Sequence, residues 1–386
     1  MPNNVGALAG LRVVDLSRVL AGPLCTQMLA DHGAEVIKVE PPDGDETRRW
    51  GPPFVGPRTS AYFTGVNRNK QNIVLDFGSD VGREALRRLL EDADVLVENF
   101  KAGTLAKWGF DDEHLASQYP RLIHARITGF GVDGPMGGAP GYDAVLQAYG
   151  GLMSINGEEA GPPLRVGVPI VDMVTGIYAV TGILLALNER HLSGRGQLVD
   201  CTLLDTAVSL LHPHTATWFA NGQVPGRIGS AHPTIAPYDT FACRNGIFFL
   251  AVGSDRQFRE LVDVLGVPEL ADDERFATNA DRVGHRDELR GVLEPVLSTW
   301  DREELGRRLL ERGVPSSPVH DVGETLTDPQ VRHRELVVEL DGYTGVGLPV
   351  KLGRTPGSVR TPPRAPGADT VEVLGGLGLS EARGTP

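Results

Sequence analysis

The sequence predicts an α/β protein, with a large domain built on a parallel sheet and a smaller α/β domain after it. Three observations predict this. From Leu11 to Leu211 short apolar runs alternate with helix-length patterns, and strands joined by helices in one sheet run parallel with right-handed crossovers. The chain's 386 residues exceed the ~250–300 at which single cores stop growing. Composition also shifts after Leu211, where Pro213, Asn221-Gly222, Pro225-Gly226 and Gly229 mark a linker over 212–234, ahead of a small domain starting near Ile235.

The elements follow in order. Leu11 to Leu16 is a strand, Leu20 to Asp31 a helix closed by Gly33 with Pro23 in its first turn, and Glu35 to Val39 the next strand. Pro41 to Pro57 is rich in Pro, Gly and charge, which predicts a surface loop of a length that is often functional. Ile73 to Leu75 is a strand, Ser79 or Asp80 caps a helix through Leu90, and Asp94 to Glu98 is another strand. Asn99, Phe100 and Lys101 leave its C-terminal end, where doubly wound sheets hold ligands. With Arg68 and Lys70 they are candidates to grip an anionic ligand; the alternative is ordinary solvated charge.

The strand Leu122 to Ile127 runs into Gly129-Phe130-Gly131-Val132-Asp133-Gly134, which matches the G-x-G-x-x-G dinucleotide fingerprint. That fingerprint has to open a helix, and the following PMGGAPG, with two prolines and three glycines, forbids one. A glycine-rich active-site loop that excludes water on closing is expected instead, and Gly150-Gly151 and 155–163 extend it. Pro169 to Arg190 then reads as a long buried helix, with Ile177, Val180, Ile183, Leu184 and Leu187 at helical spacing and Gly176 and Gly182 for close packing. Asp172 stands at its head. It is either a helix cap accepting a backbone N–H or a catalytic carboxylate. Gln197 to Cys201 is a strand and Leu203 to Leu211 a helix; beyond the linker come a strand at Ile247 to Val252 and amphipathic helices at Arg256–Leu265, Arg286–Leu297 and Arg302–Arg312. Short strand-like runs follow Leu336, and Thr361 to Asp369 is expected to be an exposed loop.

A formal charge of −13 argues against a nucleic-acid or anionic-membrane partner. No apolar run reaches the ~20 residues that span a bilayer, and the N-terminus lacks a signal-peptide pattern, so a cytoplasmic enzyme is expected. Cys25, Cys201 and Cys243 form no C-x-x-C, and no H-E-x-x-H, G-x-S-x-G or phosphate loop occurs. No metal is expected.

Six ordered blocks, LAGLRVVDLSRVLAGPLCTQMLADHGAEVIKVE, NRNKQNIVLDF, DVLVENF, GYDAVLQAYGGLM, GVPIVDMVTGIYAVTGILLAL and SGRGQLVD, resemble the family III CoA-transferases, the family of formyl-CoA:oxalate and carnitine CoA-transferases. The resemblance implies that Asp172 is the nucleophile, forming a mixed anhydride and then an aspartyl-CoA thioester. It implies CoA contacts at Val19, Leu20 and Ala21, at Asn67, Arg68, Asn69 and Lys70, at Asn99, Phe100 and Lys101, at Lys107, and at Pro140, Gly141, Tyr142 and Asp143. Coenzyme A enters as a thioester substrate, with no permanently bound cofactor, and the partners are an acyl-CoA and a carboxylic acid. A Rossmann-like large domain, an interlocked homodimer and the return of 321–386 to the large domain, with the small domain at 235–320, are also implied. Two departures stand out: Leu20 replaces a glutamine near the reacting carbonyl, arguing against oxalate, and Pro41 or Pro42 lies near a basic nucleotide contact, shifting phosphate binding to Arg48, Arg49 or Lys70. The related 2-methylacyl-CoA racemases place a histidine where this chain has Tyr142, and a phenol with a pKa of about 10 exchanges protons poorly near pH 7. A non-catalytic CoA-binding protein is the third reading.

Overall fold

The computed structural model describes residues 6–57 and 59–379. The chain divides into two units, one comprising Met1–Leu152, Arg165–Pro213 and Pro329–Pro386, the other Met153–Leu164 and His214–Asp328.

The first unit is built on six parallel strands: β1 (Arg12–Asp15), β2 (Glu35–Glu40), β3 (Lys70–Val74), β4 (Val95–Glu98), β5 (Ile123–Thr128) and β6 (Leu198–Thr202). Their spatial order is β3-β2-β1-β4-β5-β6, the doubly wound arrangement whose order reverses between β1 and β4. Alternate residues feed opposite layers. Val13, Val95 and Val97 pack under α1 (Ala21–Asp31), while Val14 and Leu96 pack with Leu86, Leu89 and Leu90 of the helix Asp80–Glu91 on the other face. Ser79 caps that helix by accepting from the Gly82 N–H at 3.0 Å.

Two further helices matter to the site: α2 (Asp143–Tyr149) and α3 (Ile170–Ser193). α3 lies against α1 because Gly176 has no side chain; a Cβ there would stand 2.6 Å from the Ala21 carbonyl oxygen. Val171, Thr175, Ala179, Ile183 and Ala186 form its buried stripe. The opposite face is open, with Leu185 65% and Leu192 87% exposed. This corrects two expectations. The helix is not buried all round, and its 24 residues, with a mean hydropathy of 2.0 over an 18-residue stretch, are long and apolar enough to cross a membrane by length and composition. Gly, Thr and Tyr break the apolar run without adding charge, and Asp172 is the helix's one charged residue before Glu189.

The second unit has a three-stranded antiparallel sheet, Ser316–Pro318, Gly246–Ala251 and Tyr238–Cys243, in that order. Phe248 and Leu250 pack against Phe258 and Leu261, Leu293, and Leu305 and Leu309 from the helices Asp255–Leu265, Arg286–Leu297 and Arg302–Glu311. The expected linker carries a helix at His214–Asn221, and Met153–Leu164, read from sequence with the first domain's glycine-rich loop, groups with this unit.

Two expected surface loops are also corrected. Within 41–57, Asp45, Thr47 and Arg48 are buried, because Asp45 pairs with Lys38 at 3.1 Å and Arg48 with Glu40 at 2.6 Å. At the far end of 361–369, Asp369 is buried and accepts from the Asn72 N–H at 2.7 Å, closing the free edge of β3.

Candidate active site

Where strand order reverses, the loops leaving β1 and β4 part and open a cleft at the carboxyl edge of the sheet. Val19, Leu20 and Ala21 form one wall, Asn99, Phe100 and Lys101 another. Pro140, Gly141 and Tyr142 form a third, and Asp172 lies at the inner end of α3. The glycine-rich wall is ordered by its own backbone bonds, including Gly138 N–H to the Gly131 carbonyl at 2.9 Å. No helix opens after Gly134; the next begins at Asp143, as the prolines require.

Asp172 is not the cap of its helix. It is the third residue of α3, after the N-cap Pro169, and its side chain accepts no hydrogen bond from another described residue. The cap comes from Asp143, whose Oδ1 accepts from the N–H groups of Val171 at 2.8 Å and Asp172 at 3.2 Å. Gln147 holds the other Asp143 oxygen at 2.6 Å. A carboxylate near exposed helix N–H groups is stabilised by them. For Asp172 the consequence is opposite: burial, and then the Asp143 charge beside it, push its pKa up from 3.8 to about 7. The Tyr62 hydroxyl feels the same field, raised to about 12 by burial and by Asp172, Asp143 and Asp45.

The remaining expected ligand residues lie elsewhere. Asp143 is buried behind the cleft as the cap just described. Asn67, Arg68, Asn69 and Lys70 are buried too, and their side chains do not line the cleft. Arg68 makes a paired contact to Asp31, with 2.7 Å from its Nη2. Asn69 bonds Asp31 at 2.7 Å and the Ser358 carbonyl at 2.8 Å, pinning the C-terminal segment. Lys70 donates to Asp15 at 3.1 Å and to the Pro23 carbonyl at 2.8 Å. Burial lowers its pKa to about 8 against the pull of Asp15. Arg48 is equally committed, to Glu40. Lys107 is exposed on a short helix outside the cleft wall. These cations answer carboxylates within the fold, which a sequence pattern of charge cannot distinguish from ligand contacts.

The structure adds residues that the sequence reading passed over. Arg18 and Glu46 line the cleft. An adjoining recess is walled by Phe77, Phe100 and Trp108, with Trp108 4.8 Å from Phe77 and 5.3 Å from Phe100 between ring centroids, and it is flanked by Arg18, Lys101, Pro41 and Pro42. Phe77 and Trp108 lie 31 positions apart on different loops, so only the fold reveals the pairing. No histidine is among the described residues lining the cleft.

An ionisable carboxylate in a cleft at the switch point of a doubly wound sheet defines an α/β enzyme that works on a ligand spanning several loops. The chain belongs to CoA-transferase family III, whose profile matches residues 8–370. It is 42% identical to the succinate--glutarate CoA-transferase of Agrobacterium fabrum, covering all of this chain and 99% of that one. It is 39% identical to the acetyl-CoA:oxalate CoA-transferase of Acetobacter aceti over 96% of this chain and 94% of that one. The crystal structure of a CAIB/BAIF family protein from Brucella suis matches with a TM-score of 0.90 and 41% identity, over 96% of this chain and 99% of that chain. The protein is an acyl-CoA:carboxylate CoA-transferase.

Proposed function

We propose that this enzyme exchanges CoA between short dicarboxylic acids, through covalent intermediates on Asp172. The observation that carries the reading is the Asp172 carboxylate, which opens into the cleft beside the loops at the strand switch and accepts no hydrogen bond from another described residue. An Asp172 oxygen attacks the donor thioester carbonyl, the C–S bond breaks, and CoA leaves as the thiolate with the electron pair. The thiolate attacks the Asp172 carbonyl of the mixed anhydride, releasing the donor acid and leaving an aspartyl-CoA thioester. The acceptor carboxylate repeats the sequence in reverse, and Asp172 is regenerated. Each exchange is thereby divided into easier steps. The aromatic recess suits a flat base, and Arg18 and Lys101 beside it suit phosphate. The dicarboxylate assignment rests on relatives named for succinate, glutarate and mesaconate. A homodimer is supported by the open apolar face of α3, where Ile177, Tyr178, Leu184 and Leu185 stand exposed.

The test is transfer from succinyl-CoA to glutarate, mesaconate or oxalate, with the enzyme quenched in turnover and digested for mass spectrometry. An acyl or CoA adduct on the Asp172 peptide is expected; turnover with every adduct absent, or adducts on another residue, overturns the assignment.

The nucleophile must be ionised, and burial with the Asp143 charge pushes Asp172 up to about 7, so kcat/KM should fall about tenfold per pH unit below that. Asp143→Asn keeps an oxygen to accept from Val171 and Asp172 but removes the neighbouring charge. The acid limb should then move to lower pH. Tyr62, Glu46, Tyr142, Arg18 and Lys101, the other titratable groups around the carboxylate, are unchanged in this variant. A limb that stays in place refutes the coupling.

A further inference from the structure

We propose that Asn99 is a positioning residue: with the buried pair Asp15 and Lys38 it holds Val19 in a left-handed turn, and so fixes the Leu20–Ala21 wall of the cleft. The inference rests on CoA transfer at this cleft, and it changes what Asn99 is for.

Val19 has φ +70°, a region that β-branched residues avoid because Cβ crowds the backbone. Such a conformation persists only when surrounding groups over-determine it. Here each peptide group before Val19 is held from outside the turn. The Asn99 side chain accepts from the Arg18 N–H at 2.8 Å and donates to the Arg18 carbonyl at 2.7 Å, a reciprocal pair across 81 residues of sequence. One step earlier, Asp15 accepts from the Ser17 N–H at 3.0 Å, and Lys38 donates to the Ser17 carbonyl at 2.9 Å. Asp15 and Lys38 are fully buried, so neither is free to serve a ligand. On the far side Lys70 holds the Pro23 carbonyl in the first turn of α1. Gly22 leaves room for the fold-back: a Cβ there would lie 2.2 Å from the Ser17 Cβ.

Both polar ends of the Asn99 amide are therefore used on the backbone of the opposite loop. Its contribution to the cleft is the shape of that loop. Without the amide, Val19 relaxes toward negative φ, and Leu20 and Ala21 swing with it. Arg18, whose guanidinium lies 5.2 Å over the Phe100 ring, is displaced as well. A residue contacting the ligand directly would behave differently, because its loss could not be repaired from the other side of the turn.

That difference is measurable in a four-protein cycle of wild type, Asn99→Ala, Val19→Gly and the double variant. Glycine takes φ +70° without the steric cost. The Asn99→Ala change is expected to lower kcat/KM roughly tenfold or more in the wild-type background, the scale set by releasing a strained residue. In the Val19→Gly background the same change is expected to cost less than about threefold. Equal factors in the two backgrounds overturn the proposal. Should Asn99→Ala fail to fold, Asn99→Asp keeps the acceptor for the Arg18 N–H but loses the donor, and its cycle reads the same coupling. Affinity for CoA itself, by calorimetry on all four proteins, gives a second cycle. If wild-type protein transferred no CoA, the assigned chemistry would fail while this binding cycle still decided the role of Asn99.

Discussion

Replacing Asp172 with asparagine should give a protein that transfers no CoA and yet unfolds at a higher temperature than the wild type at pH 8. The loss follows from removing the group that would bond to each acyl carbon, and a drop in kcat of roughly 10⁴-fold or more is the usual scale for a lost nucleophile. The gain in stability follows from the raised pKa. Folding moves Asp172 from 3.8 to about 7, so the folded state resists its ionisation. Below pH 4 the carboxyl is neutral in both states, and the asparagine gains nothing. Between pH 4 and 7 the wild type loses stability as the unfolded chain ionises first, and above pH 7 the full penalty is present. At about 1.4 kcal/mol per unit the variant should be more stable by on the order of 2–4 kcal/mol at pH 8. Thermal or denaturant unfolding at pH 4 and pH 8 measures it. Equal stability at pH 8 would show that Asp172 ionises freely in the fold, and wild-type turnover in Asp172→Ala would remove it from the chemistry.

Lys38→Met is expected to have the largest effect on folding. The Lys38 ammonium is fully buried and balances Asp45 and Asp15, and its methylene stem occupies the middle of β2. Methionine fills similar space but leaves two buried carboxylates with one fewer cation, a situation that costs about 3–5 kcal/mol. Burial raises the Asp45 carboxyl and Lys38 draws it back below its ordinary value, so the variant should also recover stability on acidification, as Asp45 takes up a proton. Circular dichroism melts at pH 5 and pH 8 test this. The double variant Lys38→Met, Asp45→Asn should regain part of the loss; a double variant no better than the single would mean that the stem, and not the charge, carries the effect.

Strand and helix positions in the large unit were readable because each needs only local information: apolar runs of four to six residues, Ser79 as a cap, Gly33 after a helix. The cleft walls at Val19–Ala21, Asn99–Lys101 and Pro140–Tyr142 were readable because loops after parallel strands fall on one edge. What stayed hidden depends on partners far away in sequence. Nothing near Asp143 shows that its carboxylate ends up under α3, 28 residues on. Nothing near Arg68 or Lys70 shows that Asp31 and Asp15 wait for them in the core. The buried side of 41–57 was masked by the same effect, since charges that look like solvent contacts are neutralised by β2.

The C-terminal segment that closes the free edge of β3 sets an order of events during synthesis. Asp369 reaches Asn72 across 297 residues, and Gly367 reaches the same asparagine across 295. Until those residues leave the ribosome, β3 presents an unpaired row of backbone donors and acceptors, the kind of edge that recruits strands from other chains. The intervening second unit has its own core and can collapse first. A growing chain thus carries an open sheet edge from the time β3 is made until residues 367–369 follow, and the second unit is complete, at Asp328, before that edge is closed. Chains released early, lacking residues after 360, would keep that edge and be the ones that associate with one another.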